Sequence, residues 1–412
     1  MEKHTLLGPF KTVLPMSGLS VKGALKDNEL PLIPNAGIWV IDGYIKAVDT
    51  YQKLKTQVPD RTEIIYLEED YTVLPGLVDA HTHICFAGSR AQDYALRNAG
   101  KSYLEIAKAG GGIWDTVTKT RKASKADLVA GILTRAKRHT LNGITTIEIK
   151  SGYGLSVSEE LKMLNAIKIA NATTDADLVA TCLAAHTFPK DYKGAIADYI
   201  EEIISDLFPK LREMQLANRI DAFIEAGAFS SQVIAPYYQK AQEMGFDITV
   251  HADQFSTGGS EVAIHYNAVS ADHLEVSSDK EIRRLAQSNV IATALPGASI
   301  GLGCPFTPAR KILDAGGALA IASDWNPGSA PMGNLVAQAA ILGTFQKLSN
   351  AEVLAGITYR AAAALNMKDR GQLQEGKIAD IIAYPTNDYR EILYQQGALK
   401  PAIVWKKGQL IS

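Results

Sequence analysis

Two histidines separated by one residue, His81 and His83, are the sharpest chemical feature of the sequence. They follow an apolar stretch, residues 73–80, that is typical of a buried strand. Residues i and i+2 of a strand point to the same side, so the two imidazoles would lie about 6–7 Å apart along it. That arrangement allows both to bind one metal ion, although two polar residues at an exposed strand end are the simpler alternative.

Three further histidines, His186, His251 and His273, also fall at the carboxyl end of an apolar run. Five of the eight histidines therefore occupy such positions, where random placement would put about half a histidine. In a barrel of parallel strands these ends meet on one face, which carries the chemistry of barrel enzymes. The pattern predicts one site shared by several histidines.

Asp324 ends the last of the apolar runs. Together with His81, His83 and His251 it would give a mononuclear metal site with three nitrogens and one oxygen. Three or more protein ligands and an open position for water are the usual arrangement for hydrolysis. Taken singly, each histidine could be a core residue bonded to a carbonyl and Asp324 a helix N-cap, but one shared site explains all four together.

The elements that must position these residues alternate along the middle of the chain. Eight apolar, β-branched runs predict strands over residues 73–81, 145–151, 178–186, 220–226, 247–253, 268–274, 290–296 and 318–324. Stretches with helical spacing cover residues 124–141, 156–171, 191–208, 231–244, 258–266, 278–287, 307–315 and 332–346. Eight such units predict an α/β fold, a (β/α)₈ barrel over residues 73–364. A doubly wound open sheet is the alternative, but no phosphate-binding glycine motif supports it.

The sequence pattern at both ends of the chain differs from that of the middle and predicts short strands and turns. An Asp-Gly turn at residues 42–43 joins two apolar runs and predicts a hairpin. Residues 376–384 and 402–408 look similar. We therefore expect residues 1–72 and 365–412 to form a small β-sandwich domain built from both termini.

Composition excludes several classes of partner. The formal charge is −2 and basic runs are absent, so nucleic acid is not expected as a partner. No apolar run reaches the roughly 18 residues that a membrane span requires, and we read no signal peptide. Three widely separated cysteines fit a reducing compartment, and we expect a cytoplasmic protein.

Other polar residues near the expected active face suggest an acidic substrate. Arg90 could bind a carboxylate with two hydrogen bonds, and Tyr103 and Tyr153 lie in loops after the first two strands. A solvated arginine and ordinary aromatic packing are the alternatives for these three. Buried ion pairing is the default expectation for Glu148, Lys150 and Glu225, which the sequence places on strands or at their ends.

The segment Pro75-Gly-Leu-Val-Asp-Ala-His-Thr-His83 resembles the first-strand signature of the amidohydrolase superfamily. Further segments, over nearly the whole barrel, resemble the imidazolonepropionase family within it. They are Phe86-Ala-Gly-Ser-Arg90, Gly110-Gly-Gly-Ile113, Thr146-Ile-Glu-Ile-Lys-Ser-Gly-Tyr-Gly154, His251-Ala-Asp-Gln254, Ser270-Ala-Asp-His-Leu274 and Asp324-Trp-Asn-Pro-Gly-Ser329. The chain departs from the family pattern in three places: Trp325 stands where a smaller apolar residue is more common, Gln254 stands where many members have Glu, and Ala184-Ala-His-Thr-Phe-Pro189 differs on both sides of its histidine.

The resemblance implies one Zn²⁺ or Fe ion per subunit, held by His81, His83, His251 and Asp324. It implies hydrolytic ring opening of 4-imidazolone-5-propanoate, with His273, Asp324 and Gln254 as the catalytic groups. The substrate contacts that we expect are Arg90, Tyr103, Tyr153, His186, Gln254, Asn326, Gly328 and Ser329.

Two alternatives stay open. One is another amidohydrolase, a deaminase or a hydrolase of a different cyclic amide or ureide. The other is a metal-free barrel that serves as an assembly scaffold, against which the presence of all four ligands counts. The expected partner is a small molecule with a carboxylate, and a homodimer is one option for the oligomeric state.

Overall fold

The computed structural model of the chain describes residues 2–67, 70–101, 105–106 and 109–411. Two sheets organise the fold. The terminal sheet contains β1 (His4–Val13), β2 (Ile33–Ile41), β3 (Tyr44–Thr50), β4 (Glu63–Tyr66), β5 (Thr72–Pro75), β14 (Ile381–Tyr384), β15 (Ile403–Lys406) and β16 (Gln409–Leu410). The barrel contains β6 (Leu77–Asp79), β7 (Ile144–Lys150), β8 (Asp177–Ala185), β9 (Arg219–Ala222), β10 (Asp247–Ala252), β11 (Ser270–His273), β12 (Ile291–Ala294) and β13 (Leu319–Ile321).

The barrel strands pair in sequence order from β6 to β13, and every pairing is parallel. The residues that follow the two end strands close the ring. Thr82 forms a parallel bridge with Trp325, and His83 N donates to Trp325 O at 2.9 Å. The predicted (β/α)₈ barrel is therefore confirmed, with its carboxyl-terminal strand ends on one face.

Helices separate the barrel strands and pack outside them. Their bounds are Ala91–Asn98, Ile113–Lys122, Lys125–Thr140, Val157–Asn171, Ile196–Glu202, Phe208–Glu213, Ser231–Glu243, Gly259–His265, Asp279–Gln287, Pro296–Leu302, Ala309–Asp314, Leu335–Gln346, Asn350–Gly356 and Tyr359–Ala364. A π-helical segment, Ile203–Leu207, joins the fifth of these helices to the sixth, and Asp27–Glu29 forms a 3₁₀ turn. Two short helices, Tyr51–Gln57 and Arg390–Tyr394, accompany the terminal strands.

One predicted strand proves to be two. The apolar run over residues 73–81 divides at Gly76 into β5, which pairs with β1 and β14 in the terminal sheet, and β6, which begins the barrel. A side chain at Gly76 would meet Thr145 Oγ1 at 2.3 Å, so this close crossing requires glycine. The proposed division into residues 1–72 plus 365–412 and 73–364 stays a prediction.

The terminal sheet encloses a core of its own. Phe10 and Trp405 from the two ends of the chain meet edge to face, with ring centroids 6.1 Å apart. The predicted hairpin is present: Ile41 pairs with Tyr44 across the turn at residues 42–43, where both φ angles are positive. Both termini thus contribute to one sheet, as the sequence pattern at the two ends predicted.

A buried group of charges links this sheet to the barrel. Asp177, at the start of β8, accepts from Arg370 Nη1 at 2.6 Å and from Lys406 Nζ at 2.7 Å. Lys406 also donates to Asp380 at 2.6 Å. The group lies at the amino-terminal ends of the strands, away from the histidines, and therefore contributes to stability rather than to chemistry.

The part of the chain that the structure describes contains no helix with both the length and the apolarity needed to cross a bilayer.

Candidate metal centre and active site

Three imidazoles converge at the carboxyl-terminal end of the barrel. His83 Nε2 lies 3.2 Å from His81 Nε2 and 3.4 Å from His251 Nε2, and all three rings are buried. Asp324 Oδ1 lies 3.6 Å from His81 Nε2 and 3.5 Å from His83 Nε2. The structure therefore brings together all four residues predicted as metal ligands.

These separations fit a tetrahedral metal ion. Ligand atoms about 2.0–2.1 Å from Zn²⁺ in a tetrahedral site lie about 3.3–3.4 Å from each other. The four donor distances of 3.2–3.6 Å match that edge length. Burial, followed by nearby cationic or imidazole groups, lowers the pKa of His81 and His83 well below the ordinary value, so both rings are neutral and offer lone pairs.

The carboxylates of Asp272 and Asp221 orient two of the imidazoles. Asp272 Oδ2 lies 2.7 Å from His81 Nδ1, and Asp221 Oδ2 lies 2.8 Å from His251 Nδ1. A carboxylate can only accept, so each Nδ1 carries the proton and each Nε2 is left unprotonated, as a metal ligand must be. Sequence reasoning missed both aspartates, although an Asp inside a buried strand is a usable signal.

Lys150 connects these carboxylates. Its Nζ lies 2.9 Å from Asp221 Oδ2, 2.9 Å from Glu148 Oε1 and 3.8 Å from Asp272 Oδ2, and all four side chains are buried. Glu148 also accepts from Thr82 N, between the two first-strand histidines, at 3.1 Å. The structural ion pairing expected of Glu148 and Lys150 is therefore present.

Glu225 does not form an ion pair among the described residues. It accepts from the backbone of Phe255 at 2.9 Å and of Ser256 at 3.1 Å, as well as from the Ser256 hydroxyl. These bonds hold the loop after β10, which carries Gln254. Glu225 thus shapes the cavity wall without contacting a metal ligand.

A cavity of about 180 Å³ opens above the histidines. It is lined by predicted residues from six loops: His83, Arg90, Tyr153, His186, His251, Gln254, His273, Asp324, Asn326, Gly328 and Ser329. His81 lies behind this wall, where it is fully buried. Tyr103 lies outside the described residues. Five lining residues were not foreseen as site residues from the sequence: Arg97, Ile113, Phe223, Phe255 and Leu302.

His186 presents an acceptor to the cavity. Its Nδ1 lies 3.0 Å from the carbonyl oxygen of Gly152, so Nδ1 carries the proton and Nε2 has a lone pair. Burial is the main cause that lowers the pKa of His186 to about 3, so the ring stays neutral. Its ring stacks on that of His83 at 5.3 Å but does not join the metal group.

Tyr153 stands beside His186 on a loop held by one carboxylate. Glu160 accepts from the backbone N–H groups of Gly152, Gly154 and Leu155 at 2.8–3.0 Å. A side chain at Gly154 would meet Glu160 N at 2.5 Å, so the loop can close only with glycine there. Burial raises the pKa of Tyr153, which therefore keeps its proton and can donate.

His273 and Asp324 lie in strained backbone conformations. Their φ angles are +86° and +50°, which non-glycine residues rarely adopt and which concentrate at functional sites. His273 Nδ1 lies 3.2 Å from Glu275 Oε1, leaving Nε2 toward the cavity. Burial opposes charging His273, but Glu275 and Asp324 outweigh it and raise its pKa above the ordinary value. Burial raises the pKa of Asp324 to about 7.

The turn after Asp324 is organised by Asn326. Its Nδ2 donates to Asp324 Oδ2 at 2.9 Å, and its Oδ1 accepts from the backbone of Gly328 and Ser329, both at 2.8 Å. These bonds fix the second carboxylate oxygen of Asp324 and aim the first at the histidines. Asn326 thus has a positioning role that the sequence did not reveal.

The side chain of Trp325, which departs from the family pattern, packs against His139 and Arg138. Its ring lies 4.8 Å from that of His139 and 3.8 Å below the Arg138 guanidinium. His139 Nε2 in turn lies 3.0 Å from Asp79, whose other oxygen accepts from Ser323 N at 2.9 Å. The larger side chain is therefore accommodated behind the strand and away from the metal ligands.

Comparisons with known proteins agree with this geometry. The sequence model described as the amidohydrolase family matches residues 106–411. Imidazolonepropionase of Bdellovibrio bacteriovorus is 38% identical over 98% of this chain and 96% of its own, and that of Bacillus cytotoxicus is 39% identical over 98% and 95%.

Solved structures show the same fold at low identity. A zinc-complexed atrazine chlorohydrolase from Arthrobacter aurescens is 16% identical over 98% of this chain and 94% of its own, with a TM-score of 0.72. An adenosine deaminase from Xanthomonas campestris with bound zinc is 18% identical over 98% and 92%, with a TM-score of 0.71. These structures support the fold, whereas the family model and the full-length relatives establish that this chain belongs to the imidazolonepropionase family of the amidohydrolases.

Proposed function

We propose that this chain hydrolyses 4-imidazolone-5-propanoate to N-formimidoyl-L-glutamate by opening the cyclic amide. The observation that carries the proposal is full-length similarity to imidazolonepropionases from several bacteria, at 38–39% identity. The site supports it, because three of the four candidate metal ligands, a neutral acceptor and an arginine line one cavity, with His81 directly behind its wall.

We propose that His81, His83, His251 and Asp324 hold one Zn²⁺ or Fe ion per subunit. Such an ion lowers the pKa of water and so supplies a nucleophile near neutral pH. The protein's part is to hold the donors in place, and Asp272, Asp221 and Asn326 do so for His81, His251 and Asp324 through the contacts described above.

The remaining residues would bind and orient the ring. His186 Nε2 can accept from a ring N–H, and Gln254 can bond the ring's polar edge. His273 Nε2 can donate to the ring carbonyl oxygen as negative charge develops there, while Asp324 takes up the proton of the attacking water. When the amide bond breaks, the leaving nitrogen needs a proton, which Asp324 or His273 can return.

Arg90 and Tyr153 would bind the propanoate tail. Arg90 Nε is bonded to Asp93 Oδ2 at 2.8 Å, which fixes the side chain and leaves the two Nη groups for a carboxylate. The guanidinium also lies against Gly328, where a side chain would meet Nη1 at 2.2 Å. Holding the tail there fixes the ring carbonyl over the metal ligands.

The test is ring opening by purified protein with a measured metal content. We expect N-formimidoylglutamate to form, loss of the activity with chelator, and recovery with Zn²⁺ or Fe²⁺. A panel of cyclic ureides and amino-substituted heterocycles separates the other amidohydrolase activities. Metal-loaded protein that leaves imidazolonepropionate intact but deaminates or opens a panel compound would overturn the assignment. The homodimer and the cytoplasmic location stay predictions.

A further inference from the structure

We propose that Arg97 is a second carboxylate-binding residue, which recognises the acidic tail of the substrate together with Arg90. The inference rests on the proposed function for the identity of the substrate, and on the cavity for the chemistry. Arg97 was not foreseen from the sequence, yet its side chain lines the same cavity as Arg90, His186 and Gln254.

Helical geometry brings the two arginines to one side. Arg90 precedes the helix Ala91–Asn98 as its N-cap, and Arg97 lies in the last turn of the same helix. Seven residues correspond to about two turns, so both side chains project from the same face, at α-carbons about 10 Å apart along the axis. Two long side chains from such positions can reach one small ligand between them.

Charge distinguishes the two guanidinium groups. Arg90 is paired with Asp93 at 2.8 Å, and that carboxylate cancels its charge in the absence of a ligand. Arg97 forms no ion pair with any residue that the structure describes, and its Nη2 is buried without a hydrogen-bond partner there. Among the described residues, the cavity wall therefore contains one arginine, Arg97, whose positive charge is paired with no carboxylate.

A buried donor without a partner is unfavourable, and an anionic ligand would satisfy it. The cavity is also lined by Asp324, and Glu275 lies 3.2 Å from Nδ1 of the lining residue His273. These carboxylates repel an anionic group, so a substrate with one carboxylate is oriented with its tail toward the arginines and its neutral ring toward the histidines. The ligand class is thus a small heterocycle with a short acidic side chain.

A purely structural role is the competing explanation, because the Arg97 guanidinium also lies 5.8 Å from the Tyr94 ring centroid. The two roles differ in what they predict for substrate charge. A structural loss would lower activity toward acidic and neutral substrates alike. Loss of a carboxylate-binding residue would lower activity toward the acidic substrate alone.

The first experiment measures hydrolysis of imidazolonepropionate and of its neutral propanamide analogue by Arg97→Met and Arg97→Lys. We expect Arg97→Met to raise KM for the acidic substrate about 10-fold to 100-fold and to leave kcat and the propanamide KM nearly unchanged. Arg97→Lys keeps the charge but not the paired donors, so we expect its KM for the acidic substrate to lie between those of wild type and Arg97→Met. Lys122→Met, on the exposed end of the helix Ile113–Lys122, removes the same charge outside the cavity and is the control.

The second experiment needs no turnover. Calorimetry compares binding of glutarate, which has two carboxylates, with butyrate, which has one, to metal-loaded protein. We expect wild type and Lys122→Met to prefer glutarate, and Arg97→Met to lose most of that preference. An unchanged preference in Arg97→Met, or an equal loss on both substrates, would overturn the role of Arg97. Wild-type protein that binds glutarate preferentially but does not open the ring would overturn the proposed function instead.

Discussion

Replacing Asp272 with Asn tests whether the carboxylates behind the histidines determine metal affinity. Asp272 Oδ2 accepts from His81 Nδ1 at 2.7 Å and from Thr249 Oγ1 at 3.2 Å, and Lys150 Nζ lies 3.8 Å away. Asn has nearly the same size and keeps one acceptor oxygen, so the packing survives. What the variant loses is the negative charge that strengthens the bond to His81.

The magnitude follows from the bond type. A hydrogen bond to a charged group contributes about 1.5–3 kcal/mol and a neutral one about 0.5–1.5 kcal/mol, so the substitution costs about 1–1.5 kcal/mol. About 1.4 kcal/mol corresponds to a tenfold change in a dissociation constant. We therefore expect Asp272→Asn to bind Zn²⁺ about tenfold more weakly, at the lower end of the range for residues behind metal ligands.

The assay is competition for Zn²⁺ between metal-free protein and a chromophoric chelator, with circular dichroism to confirm folding. Asp221→Asn, which alters the corresponding contact to His251 at 2.8 Å, should give a loss of similar size. Glu225→Gln is the matched control, because its buried carboxylate binds loop backbone rather than a metal ligand. Unchanged Zn²⁺ affinity in Asp272→Asn, or an equal loss in Glu225→Gln, would refute the reasoning.

Three further predictions concern the surrounding charges. Lys150→Met leaves buried carboxylates without their cation and should lower the free energy of unfolding in urea by about 3–5 kcal/mol; a change below about 1 kcal/mol would contradict this. Arg370 and Lys406 lower the pKa of Asp177 despite its burial, so its stabilising effect is present above the unfolded pKa near 3.8 and lost as pH falls through the lower folded value. Denaturation between pH 2 and 6 should therefore show a smaller acid-induced loss for Asp177→Asn than for wild type. Glu160→Gln weakens the acceptor of three loop N–H groups and should raise KM while Zn²⁺ affinity stays unchanged; weakened Zn²⁺ binding would argue against a role confined to that loop.

The periodic parts of the fold could be predicted from sequence because burial dictates them. Strands that are covered on both faces are largely apolar, and each of the eight predicted runs overlaps a barrel strand. The helices Ala91–Asn98 and Ile113–Lys122 were not predicted, because they belong to the loop after the first barrel strand and lack a long apolar stripe. The break at Gly76 was also missed, since an apolar run does not reveal which sheet each half will join.

The convergence of the candidate metal ligands could be predicted because histidine is rare and its placement at strand ends is improbable by chance. The residues that position them could not, because their roles depend on partners far away in sequence. Asp272 is 191 residues from His81, and no pattern in either segment indicates that the two side chains are in contact. Arg97 lies in a helix that the sequence did not predict, and only the cavity shows what it faces.

The charge of the buried centre provides an independent argument for a divalent cation. Three buried carboxylates, those of Glu148, Asp221 and Asp272, lie within 3.8 Å of the Lys150 ammonium group, and a fourth, that of Asp324, lies 3.6 Å from His81 Nε2. Burial raises the pKa of Glu148, which relieves part of this excess, but the contacts with His251 and Lys150 outweigh burial and lower the pKa of Asp221. A dication among the histidines offsets two of the remaining negative charges at the one point where four donor atoms converge. A metal-free scaffold would have no need to concentrate carboxylates behind neutral imidazoles, where each adds an electrostatic cost to the folded state.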